Sequence, residues 1–278
     1  MTRWIFYILT ATFLLFGHKS NGQAAKDFTT DCNTFKTGIF KLVDYGVYTI
    51  VRSDNKQREN DALTGLISEM DIKWLTDCTY ILFNRKVIKG VDKAPPKMNL
   101  DTFYNEIIHI DGNRYTVATT FKKLDFTAEA ILVKVDSSSL FRDISDLPEF
   151  KEFNGTTRGG TLIDVNYSVA YRQKTEKKNE YLLAFEEVFT IDHRGSFLLL
   201  DTTTFQMKAK QYIATSDCRY DGKQDKEIVA IYASNNDNEE AKIIRAWRVN
   251  RKTLKIEGVE IGKVKYKVAD NNLFYWNE

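Results

Sequence analysis

Apolar and polar residues alternate in short runs along almost the whole chain, and tight turns separate the runs. Side chains on a strand point alternately to its two faces, so a period of two sorts one set inward and the other outward. Tyr104 to Ile110 and Arg114 to Phe121 flank Asp111-Gly112-Asn113, a turn sequence that tolerates positive φ and closes a hairpin. Ile39 to Val43 and Val47 to Arg52 flank Asp44-Tyr45-Gly46 in the same way, and Tyr80 to Val87 and Phe126 to Val135 continue the pattern. Residues 33–136 therefore predict a β-meander of six to eight strands, either a small barrel or a sandwich.

The pattern breaks at Phe141 to Phe153, which holds weak helical periodicity and one proline, and at Asn154 to Gly160, a loop by composition. Alternation then resumes in Leu162 to Arg172, Ser196 to Leu200, Phe205 to Thr215, Glu227 to Ala233, Ala241 to Val249 and Leu254 to Glu257. Leu182, Leu183, Phe185, Val188 and Phe189 also suit one face of a helix, so residues 181–190 read as strand or helix. The expected class is mainly β, with two meander, barrel-like or sandwich domains and at most one or two short helices. The expected division is 1–22 signal peptide, 23–140 N-terminal domain, 141–160 linker and 161–278 C-terminal domain.

The signal peptide is read from Arg3, the uncharged run Trp4 to Gly17, and the small residues Ser20, Gly22 and Ala24 around a cleavage point. That run falls short of the ~20 apolar residues a spanning helix needs, and no transmembrane segment is expected after cleavage. Export to the periplasm, the outer-membrane surface or the medium follows. Without Arg3 and Lys19, 38 basic residues face 38 acidic ones. A balance near neutrality gives no general pull toward nucleic acid, and no nucleic-acid partner is expected.

Three cysteines, Cys32, Cys78 and Cys218, lie in the exported part, where disulfides persist. Cys32 and Cys78 fall in the same half and are expected to pair. Cys218 is then a buried thiol or a partner for one of the others; three buried, unpaired cysteines are the alternative.

The most specific local pattern runs from Asp217 to Asp225. Counted from Asp217, carboxylates fall at the first, fifth and ninth positions (Asp217, Asp221, Asp225) and glycine at the sixth, as in calcium loops. Arg219 stands where an oxygen ligand is expected, and Ile228 where an EF-hand has glutamate. A solvated Asp-Gly hairpin explains the same letters. Only His109 and His193 remain after signal cleavage, one in an alternating strand and one in a turn. HExxH, GxSxG, Walker and GxGxxG patterns are all missing. Paired carboxylates are open to 38 acids and give an envelope-polymer hydrolase as one alternative, although Glu186-Glu187 reads as surface. Arg245 to Lys267 is locally basic with Trp247 and Tyr266 interleaved, which suits a glycan or another anionic partner. The apolar end Leu273-Phe274-Tyr275-Trp276 reads as a last strand or a strap. Thr76 to Tyr80 (TDCTY) faintly repeats as Ser216 to Tyr220 (SDCRY).

Cys32-Asn33-Thr34-Phe35-Lys36-Thr37-Gly38-Ile39-Phe40-Lys41, followed by Ile72-Lys73-Trp74-Leu75-Thr76-Asp77-Cys78-Thr79-Tyr80, resembles a group of small secreted proteins of Gram-negative bacteria. They share a C-x-x-F-x-x-G-x-F opening and a W-L-x-D-C-x-Y segment, over residues 31–135 of this chain. Some carry the label topoisomerase IV. An exported chain without a nucleotide loop does not fit ATP-driven strand passage. The resemblance implies a β-meander whose two cysteines pair, and it brings no activity and no functional residues.

The expected function is that of a non-enzymatic binding or structural protein, with an apolar ligand, a glycan or an envelope protein as partner. Its first domain is a lipocalin-like meander with Tyr45, Tyr48, Trp74, Tyr80, Phe83, Tyr115 and Phe121 at the interior or rim. The alternatives are the carboxylate hydrolase and a calcium-stabilised interaction module.

Overall fold

The computed structural model describes residues 31–43, 48–92, 102–191, 194–233 and 241–266. The signal peptide, the Asp44-Tyr45-Gly46 turn, His193 and the Leu273–Trp276 tail lie outside the described residues.

The alternating first half forms β1 (Gly38–Leu42), β2 (Tyr48–Arg52), β3 (Lys56–Asp61), β4 (Leu66–Trp74), β5 (Thr79–Lys89), β6 (Phe103–Asp111), β7 (Arg114–Phe121) and β8 (Phe126–Val135). Each strand pairs antiparallel with the next, and β1 pairs with β8, so the meander closes into an eight-stranded barrel. Closure leaves no unpaired edge to template association. Gly112, at φ 60°, makes the two-residue turn between Asp111 and Arg114. The outer face carries charge, with Lys56 2.6 Å from Asp71 and Arg58 2.9 Å from Glu69. The interior is apolar, built on Phe40, Ile50, Met70, Ile72, Leu82, Ile107, Val117 and Leu132. This polarity is the reverse of a bilayer-spanning barrel. No helix among the described residues is long and apolar enough to cross a membrane.

One end of the barrel is plugged. A 3-10 turn, Cys32–Phe35, is capped by Asp31, whose side chain accepts from the Asn33 amide. The Cys32–Cys78 disulfide, with Cα atoms 5.2 Å apart, ties this turn to the connection between β4 and β5. Phe35 is fully buried beneath the barrel, its ring 4.6 Å from that of Tyr115.

The second half stacks three sheets. β9 (Leu140–Phe141), β10 (Arg158–Leu162), β11 (Tyr167–Gln173), β12 (Glu180–Ile191) and β13 (Arg194–Gln206) form one, in the order β10-β11-β12-β13-β9. It packs on a second, formed by β14 (Gln211–Ala214), β17 (Ile228–Ala233), β18 (Lys242–Asn250) and β19 (Lys255–Gly258). Val169, Leu183, Phe185, Phe205, Val229, Ile231 and Trp247 fill the space between them. The outer face of the second sheet is covered by a small third one, of β15 (Arg219–Tyr220), β16 (Lys223–Gln224) and β20 (Val264–Lys265), over Ala214, Cys218, Ile228 and Ala230.

Residues 181–190 are strand. Both faces of β12 are covered, so its apolar residues run on instead of alternating, which is why the helical reading arose. Residues 141–160 are no bare linker. They hold Phe141 of β9, two 3-10 turns (Ile144–Asp146 and Pro148–Phe150) and the start of β10. Phe141, Ile144 and Phe153 are buried against Leu182 and Ala184 on the outer face of the first sheet. Barrel and sandwich meet where Lys41, outward on β1, reaches Glu187 of β12 at 2.5 Å and lies 4.9 Å from the centre of the Phe189 ring.

Candidate functional site

The barrel interior changes character along its axis. At the plugged end sits Arg52, 3 % exposed. Its guanidinium donates to the Phe35 carbonyl at 2.8 Å, to Gln57 Oε1 at 3.0 Å and to the Tyr80 hydroxyl at 3.0 Å. The rings of Phe40 and Tyr80 lie 4.9 and 4.6 Å away and Trp74 is 5.8 Å away. A buried cation is costly unless its donors are met, and here neutral acceptors and π faces meet them. The Tyr115 hydroxyl lies beside this group.

Gln57 passes the network upward. Its Nε2 donates to Glu59 Oε1 at 2.8 Å. Glu59 lies opposite Ile50 and Ser68 across β2, β3 and β4, with Tyr48 one inward position further toward the mouth. Glu59 is half-buried. Burial lifts its carboxyl above the usual range, against the opposing pull of Gln57, Arg85 and Arg52. The Tyr48 phenol is pushed up to about 12, by burial first and then by the charges of Glu59 and Asp61.

A β-bulge completes this polar wall. Asp71 pairs with Phe83 and Glu69 with Lys86, so Asn84 and Arg85 together face the single Met70. Asn84 takes a left-handed φ of 53° and donates to Asp71 Oδ2 at 2.7 Å. The extra residue shifts the phase of β5 and turns Arg85 inward. Arg85 hydrogen-bonds Asp92 and acts on both Glu59 and Tyr48.

The opposite wall, from β6 to β8, is apolar toward the mouth. Phe103, Phe121 and Phe126 stand in register, with ring centres 5.2 and 6.0 Å apart. Below them, Thr119 faces Ala128 and Val117 faces Ala130. Thr119 Oγ1 donates to Asn105 Oδ1 at 2.7 Å, which satisfies the one polar pair on this side. The upper lumen is thus two-faced: Tyr48, Glu59 and Arg85 look across at aromatic rings and alanines.

The aromatic residues expected here fall mostly into place. Tyr80 and Tyr115 belong to the barrel core, with Trp74 and Phe121 packed against it. Phe83, one position after the inward Leu82, is on the outer face. Glu59, Gln57 and Arg85 were not foreseen. β3 reads KQREND, with no apolar residue to reveal a strand, and the inward turn of Arg85 depends on a bulge that leaves no alternation to read.

The Asp217–Asp225 loop is a turn with its carboxylates engaged separately. Asp217 accepts from Gln224 Nε2 at 3.0 Å and from the Ser216 hydroxyl at 3.2 Å. Asp225 pairs with Arg248 at 2.6 Å. Asp221 sits at φ 49° at the hairpin corner. Among the described residues no three His, Cys, Asp or Glu side chains gather as a metal cage. Cys218 is a buried free thiol, pushed up to about 12 chiefly by burial. His109 is exposed beside a bulge in β6.

The basic C-terminal stretch is largely matched. Arg248 and Arg251 bind Asp225, Glu227 and Asp164, Lys255 lies near Asp201, and Lys263 near Glu260. Arg245 stacks 4.7 Å from Trp247 beside a shallow polar groove with Glu180 and Gln206.

Glu186, read as surface, is buried. Its Oε2 accepts from the Ser168 hydroxyl at 2.9 Å, and burial lifts its carboxyl to about 7. Asp143 and Arg172, paired at 2.9 Å, are its charged neighbours. At 4 % exposure no substrate reaches it.

No family model matches the chain, and no curated protein does. Two solved structures of mutant forms of transferrin binding protein B, a vaccine antigen from Haemophilus parasuis Hp5, are similar at 9 % identity. One match covers 77 % of this chain and 51 % of that one at a TM-score of 0.15; the other covers 73 % and 52 % at 0.14. The chain thus spans about half the length of those proteins, and TM-scores so low do not mark a shared fold.

Proposed function

We propose that the chain is an exported, non-enzymatic binding protein whose barrel lumen takes a small amphipathic ligand. The apolar part lies against Phe103, Phe121 and Phe126, and the polar end faces Tyr48, Glu59 and Arg85. One arrangement carries this reading: the half-buried Glu59, with Tyr48 and Arg85 acting on it, stands across the barrel from the stacked Phe103, Phe121 and Phe126. Ligand pockets are concave and mostly apolar, with a few placed polar groups. The secreted family with the C-x-x-F-x-x-G-x-F opening supplies a compatible setting, and the disulfide suits an oxidising compartment.

The test is titration with cis-parinaric acid, a fatty acid that fluoresces when it enters an apolar site. Wild-type protein saturates at one probe per chain. Thr119→Trp, which fills the upper lumen, loses the signal while keeping its far-ultraviolet circular dichroism. A wild-type protein that shows no saturable signal, or a folded Thr119→Trp variant that binds as well, rules the lumen out.

A further inference from the structure

Up-and-down topology sends alternate connections to opposite ends of the barrel. The connections β1–β2, β3–β4, β5–β6 and β7–β8 share the open end, and β2–β3, β4–β5 and β6–β7 share the plugged one. The two ends differ in what they expose. The plugged end turns through Ser53-Asp54-Asn55, Leu75 to Cys78 and Gly112-Asn113, with Leu75 the one exposed large apolar residue among these. At the open end every connection contributes one. Val43 follows β1, Leu63 lies in the β3–β4 turn, Val87, Ile88 and Val91 end β5, and Phe126 opens β8. Leu63 is 70 % exposed and Val91 75 %. Scattered single exposures are ordinary, but six on one rim around a lumen mouth mark an interaction surface.

Charge on the same rim chooses the partner. Among the described residues there, Lys89, Lys122 (its Nζ 3.8 Å from the centre of the Tyr104 ring) and Lys123 outnumber Asp61 and Asp125, and Asp92 is matched by Arg85. Asp61 is further engaged in holding its own turn, accepting from the Leu63 amide at 2.9 Å and from the Thr64 hydroxyl. Apolar side chains on separate loop tips, interleaved with lysines, form a ring and not a groove. A ring of this kind suits a flat, fluid, anionic surface better than a shaped protein segment.

We propose that the open end of the barrel docks on the surface of an anionic phospholipid bilayer, with Leu63, Ile88 and Val91 entering the interface and Lys89 and Lys122 meeting the headgroups. The lumen mouth then faces the membrane. This docking rests on Leu63, Ile88, Val91 and the rim lysines, not on the inward-facing Val87 and Phe126, and holds whether or not the lumen takes a ligand.

Co-sedimentation tests it, using protein purified from the exported fraction of an expressing bacterium and vesicles of phosphatidylethanolamine with phosphatidylglycerol. All variants share whatever N-terminal segment the protein retains, so its contribution cancels in the comparison. Wild type is expected to sediment with these vesicles and to release in high salt. Leu63→Ser with Val91→Ser is expected to weaken binding about tenfold at no cost in fold, since both residues are exposed. Lys89→Glu with Lys122→Glu is expected to weaken it on phosphatidylglycerol but not on pure phosphatidylcholine. Leu75→Ser, an equally exposed leucine at the plugged end, is the control and leaves binding unchanged. A wild type that ignores the vesicles, including one that binds a protein at this rim instead, overturns the proposal. So does a Leu75→Ser loss as large as that of the rim variants. Thr119→Trp separates the two readings: it keeps vesicle binding here while losing the parinaric acid signal. Loss of vesicle binding in that folded variant means lipid is drawn into the lumen, and overturns docking by the rim.

Discussion

Barrel and sandwich each bury one glutamate against the usual rule, and they do it differently. Glu59 in the barrel and Glu186 in the sandwich are both lifted above the usual carboxylate range by burial. Glu186 is sealed, with Ser168 as its hydrogen-bonding partner and the Phe141–Phe153 segment packed on the same sheet face. Glu59 is half-buried, at the end of a relay through Gln57 to Arg52. A raised carboxyl alone therefore does not identify a site. Access separates a group poised to meet a ligand from one that is a cost of folding.

The two regions also differ in how they are held, and the largest expected effect tests this. The sandwich covers β12 on both faces, with the second sheet on one and the 141–153 segment on the other, whereas the barrel end is closed by a short turn stapled through Cys32–Cys78, 46 residues apart. In the chain-entropy model a loop of that length contributes about 4 kcal/mol. Cys32→Ser with Cys78→Ser is expected to lower the denaturant midpoint by a corresponding amount. It also loosens Phe35, and with it an acceptor of the buried Arg52. An unchanged midpoint would show that apolar packing of Phe35 and Tyr115 closes the barrel without help.

How much of this was legible follows the same division. The barrel strands with apolar inward residues, such as β6, β7 and β8, announce themselves by alternation. β3 does not, because its inward residues are Gln57 and Glu59, and the polar wall of the candidate site is for that reason hidden in sequence. β12 misleads in the opposite direction: burial on both faces erases alternation and mimics a helix. The Cys32–Cys78 pair was readable, while the burial of Glu186 was not, since it depends on the 141–153 segment folding back as a cover. The carboxylate spacing of Asp217, Asp221 and Asp225 was readable too. Spacing does not show that Asp225 turns to Arg248, because that contact spans 23 residues.

The next effect in size belongs to Glu186. Its folded-state value of about 7 lies above the ordinary carboxylate value, so the folded chain holds a proton that the unfolded chain has released. Its penalty is absent below about pH 4.5, grows as pH rises, and is complete above about pH 7. At 1.36 kcal/mol per unit, this amounts to about 3 kcal/mol as an order of magnitude. Glu186→Gln keeps an acceptor for the Ser168 hydroxyl and carries no charge. It is expected to match wild type at pH 4 and to exceed it in thermal stability at pH 8. A variant that gains nothing at pH 8 would mean that water or Arg172 already stabilises the ionised form.

The smallest effect is at Glu59, and it is read in binding, because this half-buried carboxyl lies where the proposed ligand's polar end would sit. Its carboxyl is raised by burial, so Glu59 holds its proton to higher pH than an ordinary carboxylate and, while protonated, can donate to the head of a bound carboxylate such as parinaric acid. As pH rises through its value, Glu59 ionises and two negative charges share one end of the lumen. Arg85 offsets part of this, but it is already bonded to Asp92. Like charges a few ångströms apart, partly offset by Arg85, cost on the order of 1 kcal/mol, which is about a fivefold fall in affinity. Glu59→Gln is expected to flatten that fall, and a long-chain alcohol in place of the acid is expected to show little of it even in wild type. If the wild-type affinity for parinaric acid falls with pH just as steeply in Glu59→Gln, the repelling charge lies elsewhere. The polar end of the ligand would then sit away from the β2–β5 wall, and the contrast with Glu186 would rest on access alone.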